Sequence, residues 1–114
     1  MAISINFQSK DFTKVELYRM TRDNAIVSCK DVEDGTNITV TGYIEYTDDK
    51  GDGKTEEVFA MLADDGTCYA CTSKTFARNV KEIAEIIGEF PFTIVKGSGT
   101  SKAGKAFIMC SLAY

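Results

Sequence analysis

Two short strings in this 114-residue chain have spacings that could do chemistry. Cys68-Tyr-Ala-Cys71 has the spacing of a redox or metal-binding pair. A redox pair needs a helix N-terminus to hold its thiolate, whereas the residues around it read as a strand. On a strand, positions 68 and 71 face opposite ways. Zinc would have to recruit Cys29 and Cys110, in a chain with no histidine and no second such pair. Gly99-Thr-Ser-Lys-Ala-Gly104-Lys105 fits the first seven positions of a Walker A loop. Ala106 then stands where Mg²⁺ binding needs Ser or Thr, and a strand follows where a helix must. Asp48-Asp-Lys-Gly-Asp-Gly53 has an acidic-loop flavour, but Phe59 occupies the position of a calcium loop's terminal Glu. Without histidine, a Ser or Cys nucleophile lacks its usual base, and Glu56 and Glu57 diverge across a strand. These residues point to free thiols, no metal, no cofactor and no catalysis.

What the sequence does offer is aromatic rings interleaved with lysines. Tyr43, Phe59, Tyr69 and Phe107 are candidate platforms on which bases could stack. Lys50 and Lys54 in one loop, and Lys96, Lys102 and Lys105 around another, are candidate phosphate contacts. Each group has a plainer reading: a small barrel must fill its interior with aromatics, and lysines keep a loop solvated.

The elements that must position these residues are legible from periodicity. Residues 36–47 (TNITVTGYIEYT) alternate as a strand, with Ile38, Val40, Ile44 and Tyr46 on one face and Tyr43 on the other. Gly42 interrupts the inner row and predicts a bulge or bend. The turn residues 48–53 lead to a second strand, about 55–63, and Asp64-Asp65-Gly66 to a third, 67–72. Phe76, Val80, Ile83, Ala84 and Ile87 then form one apolar helical stripe, with Ser73 or Thr75 as cap and Gly88 as stop. Pro91 opens a fourth strand, 97–105 reads as a loop, and 106–112 as the fifth strand. In the N-terminal third, Ile3, Ile5 and Phe7 alternate as a short strand or packed arm. Thr13-Lys-Val-Glu16 has the capping-box pattern of a short helix.

Three strands, a helix and two strands is the order of an OB-fold, a five-stranded Greek-key barrel. The fold expectation is therefore mainly β: a five-stranded OB barrel over 36–114, carrying a helical N-terminal extension over 1–35. Such barrels bind oligonucleotides across strands two and three, with the strand 1–2 and 4–5 loops closing over the ligand.

Composition sets the outer bounds. The chain is one domain long and 44% hydrophobic, which places it among soluble globular proteins. No run reaches the ~20 apolar residues of a membrane span, so no membrane role and a cytoplasmic location are expected. Net charge is −4, unevenly spread. Residues 1–66 carry seven Lys/Arg against fourteen Asp/Glu, and residues 67–114 carry six against three. The C-terminal part can therefore meet a polyanion despite the overall acidity, because binding follows the local field.

Three strings carry a resemblance: ELYRMTRD (16–23), the DG-x-x-Y-A-x-x-S-K-T-F run (65–76) and GTSKAGKAFIMC (99–110). With them the chain resembles small phage-type single-stranded-DNA-binding proteins from Glu16 onward. The resemblance implies an OB-fold protein that coats single-stranded DNA, without sequence preference, during phage replication or recombination. It implies partners among replication or recombination proteins, and it puts Tyr69, Ser73, Lys74, Lys102 and Phe107 at or near the DNA. Cys71 and Thr72 stand where Thr-Asn is expected before the Ser, so no role for that Asn carries over. The competing expectation is an acidic adaptor that uses the same barrel to bind a basic protein. In either case the exposed edges of a partly open barrel offer a route to a homo-oligomer.

Overall fold

The computed structural model describes residues 2–114. Seven strands form one sheet: β1 (Ala2–Gln8), β2 (Val27–Ser28), β3 (Asn37–Gly51), β4 (Lys54–Ala63), β5 (Cys68–Cys71), β6 (Phe92–Thr100) and β7 (Ala106–Leu112). Two helices, α1 (Lys14–Thr21) and α2 (Lys74–Ile87), and a 3-10 turn at Cys29–Asp31 complete the chain. The chain is mainly β, as expected, and residues 37–112 run three strands, a helix, then two strands. The five-strand expectation is corrected: β1 pairs antiparallel with β3, and β2 pairs parallel with β5. Both extra strands come from residues 1–35: β1 takes the strand alternative read for Ile3, Ile5 and Phe7, whereas β2 lies where no strand was expected. The order β2-β5-β4-β3-β6-β7 leaves β2 and β7 as edges.

The sheet curls because β3 is long enough to serve several partners. Its N-terminal half pairs with β6 from Asn37 to Val40, and its C-terminal half pairs with β1. Between them sits Gly42, where the β3–β4 register shifts. A β carbon at 42 would lie 2.7 Å from Phe12 Cζ, so the segment leading into α1 packs on bare backbone there. The bulge changes which side chains share a face. Ile38 and Val40 join Tyr43, Phe59 and Met61 in a core closed by Phe76, Ala77 and Val80 of α2. Ile44 and Tyr46 join Val58, Ala60 and Leu62 in a second core, covered by Met20 and Leu17 of α1 and by Ile3 and Ile5 of β1. Alternation without the bulge would have put Ile38, Val40, Ile44 and Tyr46 together. Both faces of the β3–β4 pair are covered.

Local signals behave as their chemistry requires. Thr13 Oγ1 accepts from the Glu16 N–H at 3.1 Å while Glu16 Oε1 accepts from the Thr13 N–H at 2.8 Å, a complete capping box for α1. Ser73 caps α2 by accepting from the Phe76 N–H at 3.1 Å, and Gly88 ends the helix in the left-handed region. The apolar stripe of α2 is buried at Phe76 and Val80 and half-buried at Ile83 and Ala84; Ile87 emerges at 38% exposure and Ile86 at 82%. The loop expected over 97–105 is shorter than read: β6 continues to Thr100, leaving a five-residue turn at the tip of a long β6–β7 hairpin. Among the described residues, no helix is long and apolar enough to cross a membrane.

Candidate nucleic-acid interface

A groove of about 870 Å³ runs between the β3–β4–β5 strands and the β6–β7 hairpin. Its sides are Tyr46 and Asp48 of β3, Glu56 and Val58 of β4, Ala70 and Cys71 of β5 with Thr72 and Ser73, and Lys96, Ser98 and Ala106 to Ile108 of the hairpin. Ser28, which precedes the 3-10 turn, and Lys30 within it also line the groove. Register explains part of this set: Tyr46 lies opposite Val58, and Asp48 opposite Glu56, so the four stand in two adjacent rows.

The acids of the groove are neutralised from within the protein. Arg22 holds Asp48 with two hydrogen bonds, at 3.2 and 3.1 Å, and that donation keeps the Asp48 carboxyl below the usual carboxylate range. Lys50 pairs with Glu56 at 3.4 Å. Lys96 donates to Asp34 at 2.9 Å, and Ser98 Oγ donates to the other Asp34 oxygen. Those two donors, Ser98 first, depress the Asp34 carboxyl. Among the described residues, Lys30, Lys54, Lys102 and Lys105 are in no ion pair. The lining therefore presents an unpaired cation at Lys30, and the hairpin tip adds exposed Lys102 and Lys105. The tip is ordered by its own backbone: the Ser101 N–H donates to the Lys105 carbonyl at 2.8 Å, and the Lys105 N–H donates to Ser101 Oγ at 3.2 Å.

The structure separates the residues expected at the ligand. Phe107 and Ser73 line the groove, Ser73 with its hydroxyl already engaged as the cap of α2. Lys102 and Lys105 are exposed on the hairpin tip, and Lys54 is exposed at the start of β4. Lys74 is exposed in a smaller hollow beside the groove, with Glu45 and Glu57. Two expectations are corrected. Tyr43 is 6% exposed and Phe59 3%, with ring centroids 5.3 Å apart inside the core, so neither is a platform for bases. Lys96 is buried against Asp34, so its ammonium is already matched. Tyr69 is half-buried and packs against the same interior core as Tyr43.

Two groove residues escaped sequence reasoning. Tyr46 read as an inner-row residue, and it is buried in the second core while still bordering the groove. Burial there pushes its phenol above the ordinary range. Lys30 comes from a segment with no clear periodicity, carried in by the β2–β5 pairing.

The cysteines are free. Cys29 directly follows β2, so continuing the Ser28–Ala70 register brings it beside Cys71. A hydrogen bond from the Cys29 thiol lowers the Cys71 thiol and raises Cys29. Burial pushes Cys110 up to about 12.

The family described as Phage Single-stranded DNA-binding protein matches residues 3–113. A single-stranded DNA-binding protein of Bacillus phage PZA is 32% identical over 91 residues, covering 75% of this chain and 73% of its own. That of Bacillus phage phi29 is 31% identical over the same span and coverage. No solved structure matches the chain significantly. With nearly its whole length matched and relatives above 30% identity, the chain belongs to the family of phage single-stranded DNA-binding proteins.

Proposed function

We propose that this protein binds single-stranded DNA without sequence preference and supports phage DNA replication or recombination in the host cytoplasm. DNA lies in the groove between β5 and the β6–β7 hairpin. Lys30, Lys102 and Lys105 contact phosphates, with Lys54 at the opposite hairpin and Lys74 beside the groove extending the cationic path. Phe107 meets bases at the groove rim. Each base stacked on an aromatic contributes roughly 1–3 kcal/mol, and stacking tolerates any base because every base has a π-face.

One observation carries this reading: the groove acids are each tied to an internal cation, while Lys30, Lys102 and Lys105 have none. An acidic chain can thereby present a locally positive path to a polyanion. Family membership points the same way. Fluorescence anisotropy with labelled oligo-dT and with a duplex of equal length tests it. Saturable binding of oligo-dT at low salt, with weaker duplex binding, is expected. No binding of oligo-dT at low salt contradicts the reading.

A further inference from the structure

We infer that the free edge of β7 is itself a ligand: the outward main-chain N–H groups of Ala106 and Ile108 bind DNA phosphates in the groove. Antiparallel pairs alternate between those that exchange both backbone hydrogen bonds and those that exchange none. At one end of the β6–β7 hairpin the Ser101 N–H bonds the Lys105 carbonyl at 2.8 Å; at the other, the Ala113 N–H bonds the Thr93 carbonyl at 2.8 Å. Pairing runs between these ends without a register shift, from Thr100–Ala106 to Ile94–Leu112. The odd-numbered residues of β7 therefore spend their N–H groups on β6, and Ala106, Ile108, Cys110 and Leu112 point theirs away from it.

An independent bond bears this out. The Cys110 N–H donates to Asn79 Oδ1 of α2 at 3.2 Å, so α2 covers the edge at that position. Nearer the tip the edge passes from the helix to the groove, which Ala106 and Ile108 line. Two donors on alternate residues thus stand on the groove wall, on the same hairpin as Lys102 and Lys105.

An exposed strand edge can pair with an extended peptide as readily as with another acceptor. Charge decides here. The cations without internal partners at the groove and hairpin tip call for an anionic occupant, and phosphate oxygens accept main-chain N–H bonds well. Such contacts read no base, which suits binding indifferent to sequence.

This inference rests on the DNA-binding reading, and its test separates the two. Ala106→Pro removes an N–H that makes no bond within the sheet, a substitution that edge strands tolerate. The second variant keeps the Ile108 side chain but replaces its backbone amide with an ester, which deletes the N–H and weakens only the Phe107 carbonyl beside it. Oligo-dT affinity should fall about ten- to a hundredfold in each, the range for loss of one charge-assisted hydrogen bond, with circular dichroism unchanged. Ala106→Gly, which keeps the N–H, should bind like the parent. Parent-like affinity in both backbone variants would overturn the inference and leave the edge open to an extended peptide, while DNA binding itself would stand. Failure of the parent protein to bind oligo-dT would instead remove the reading and the inference together.

Discussion

The ring of Phe107 lies across Gly99, its cross-strand partner, so closely that a β carbon at position 99 would stand 2.7 Å from Phe107 Cζ. The bare glycine is what allows the ring to rest on the hairpin where β7 borders the groove. Gly99→Ala would push the ring aside. Because the obstructing atom is the far end of a half-exposed side chain, the expected stability loss is small, about 1 kcal/mol or less. Oligo-dT affinity should fall about as far as in Phe107→Leu if stacking is Phe107's contribution, and anisotropy titrations of both variants check this. Unchanged affinity in both would show that the ring does not touch bases.

The Lys96–Asp34 pair is asymmetric, and the asymmetry predicts unequal losses. The Lys96 side chain is 5% exposed, whereas that of Asp34 is 55% exposed. Removing the lysine returns Asp34 to water, but removing the aspartate strands a buried ammonium. Asp34→Ala should cost about 1–3 kcal/mol and Lys96→Met clearly less. Urea denaturation measures both; equal losses would contradict the geometry. Lys96→Met should also leave the salt dependence of DNA binding near that of the parent, because its charge is already matched.

Acid stability follows from the same carboxylates. Asp34 is held low by Ser98 and Lys96, and Asp48 by Arg22. A folded-state pKa below the unfolded value gives stability that is present above the unfolded pKa and lost as pH falls through the folded one. The melting temperature should therefore hold at neutral pH and fall once pH drops below about 4, the ordinary Asp range. Asp48→Asn should flatten that acid limb while lowering stability at pH 7. A limb as steep as the parent's would show that Asp48 does not report the pairing.

Thiol reactivity should be ordered. Cys71 is partly exposed on the groove wall and lowered by the Cys29 thiol, while Cys110 is buried and pushed up to about 12. Mass spectrometry after brief iodoacetamide treatment at pH 7.5 should find the label on Cys71 first. Bound oligo-dT should slow the reaction because it fills the groove. First labelling at Cys110 would contradict the packing.

The fold was legible where a signal is local. The Thr13–Glu16 capping box, the Ser73 cap, the α2 stripe and the bulge at Gly42 each declare themselves within a few residues. The consequence of the bulge was not legible. Alternation placed Tyr43 on the open face, but one extra residue near Gly42 reverses the parity of β3 and buries it with Phe59. β2 was missed because two residues have no periodicity, and its pairing with β5, some 40 residues along the chain, supplies Lys30 to the site. Charge counting marked Lys96 as cationic, but only tertiary structure shows that Asp34 claims it. The projecting positions of Lys102 and Lys105 were legible because a glycine-flanked turn between two strands must project.

The most direct test of the central claim is the salt dependence of oligo-dT binding, compared between the parent protein and Lys102→Ala/Lys105→Ala. Each phosphate neutralised on a single strand contributes about 0.7 to the slope of log K against log salt. The parent slope should be steep and should become shallower by about 1.4 in the double variant, with weaker binding at every salt concentration. An unchanged slope and affinity would place the DNA elsewhere on the protein and contradict the account.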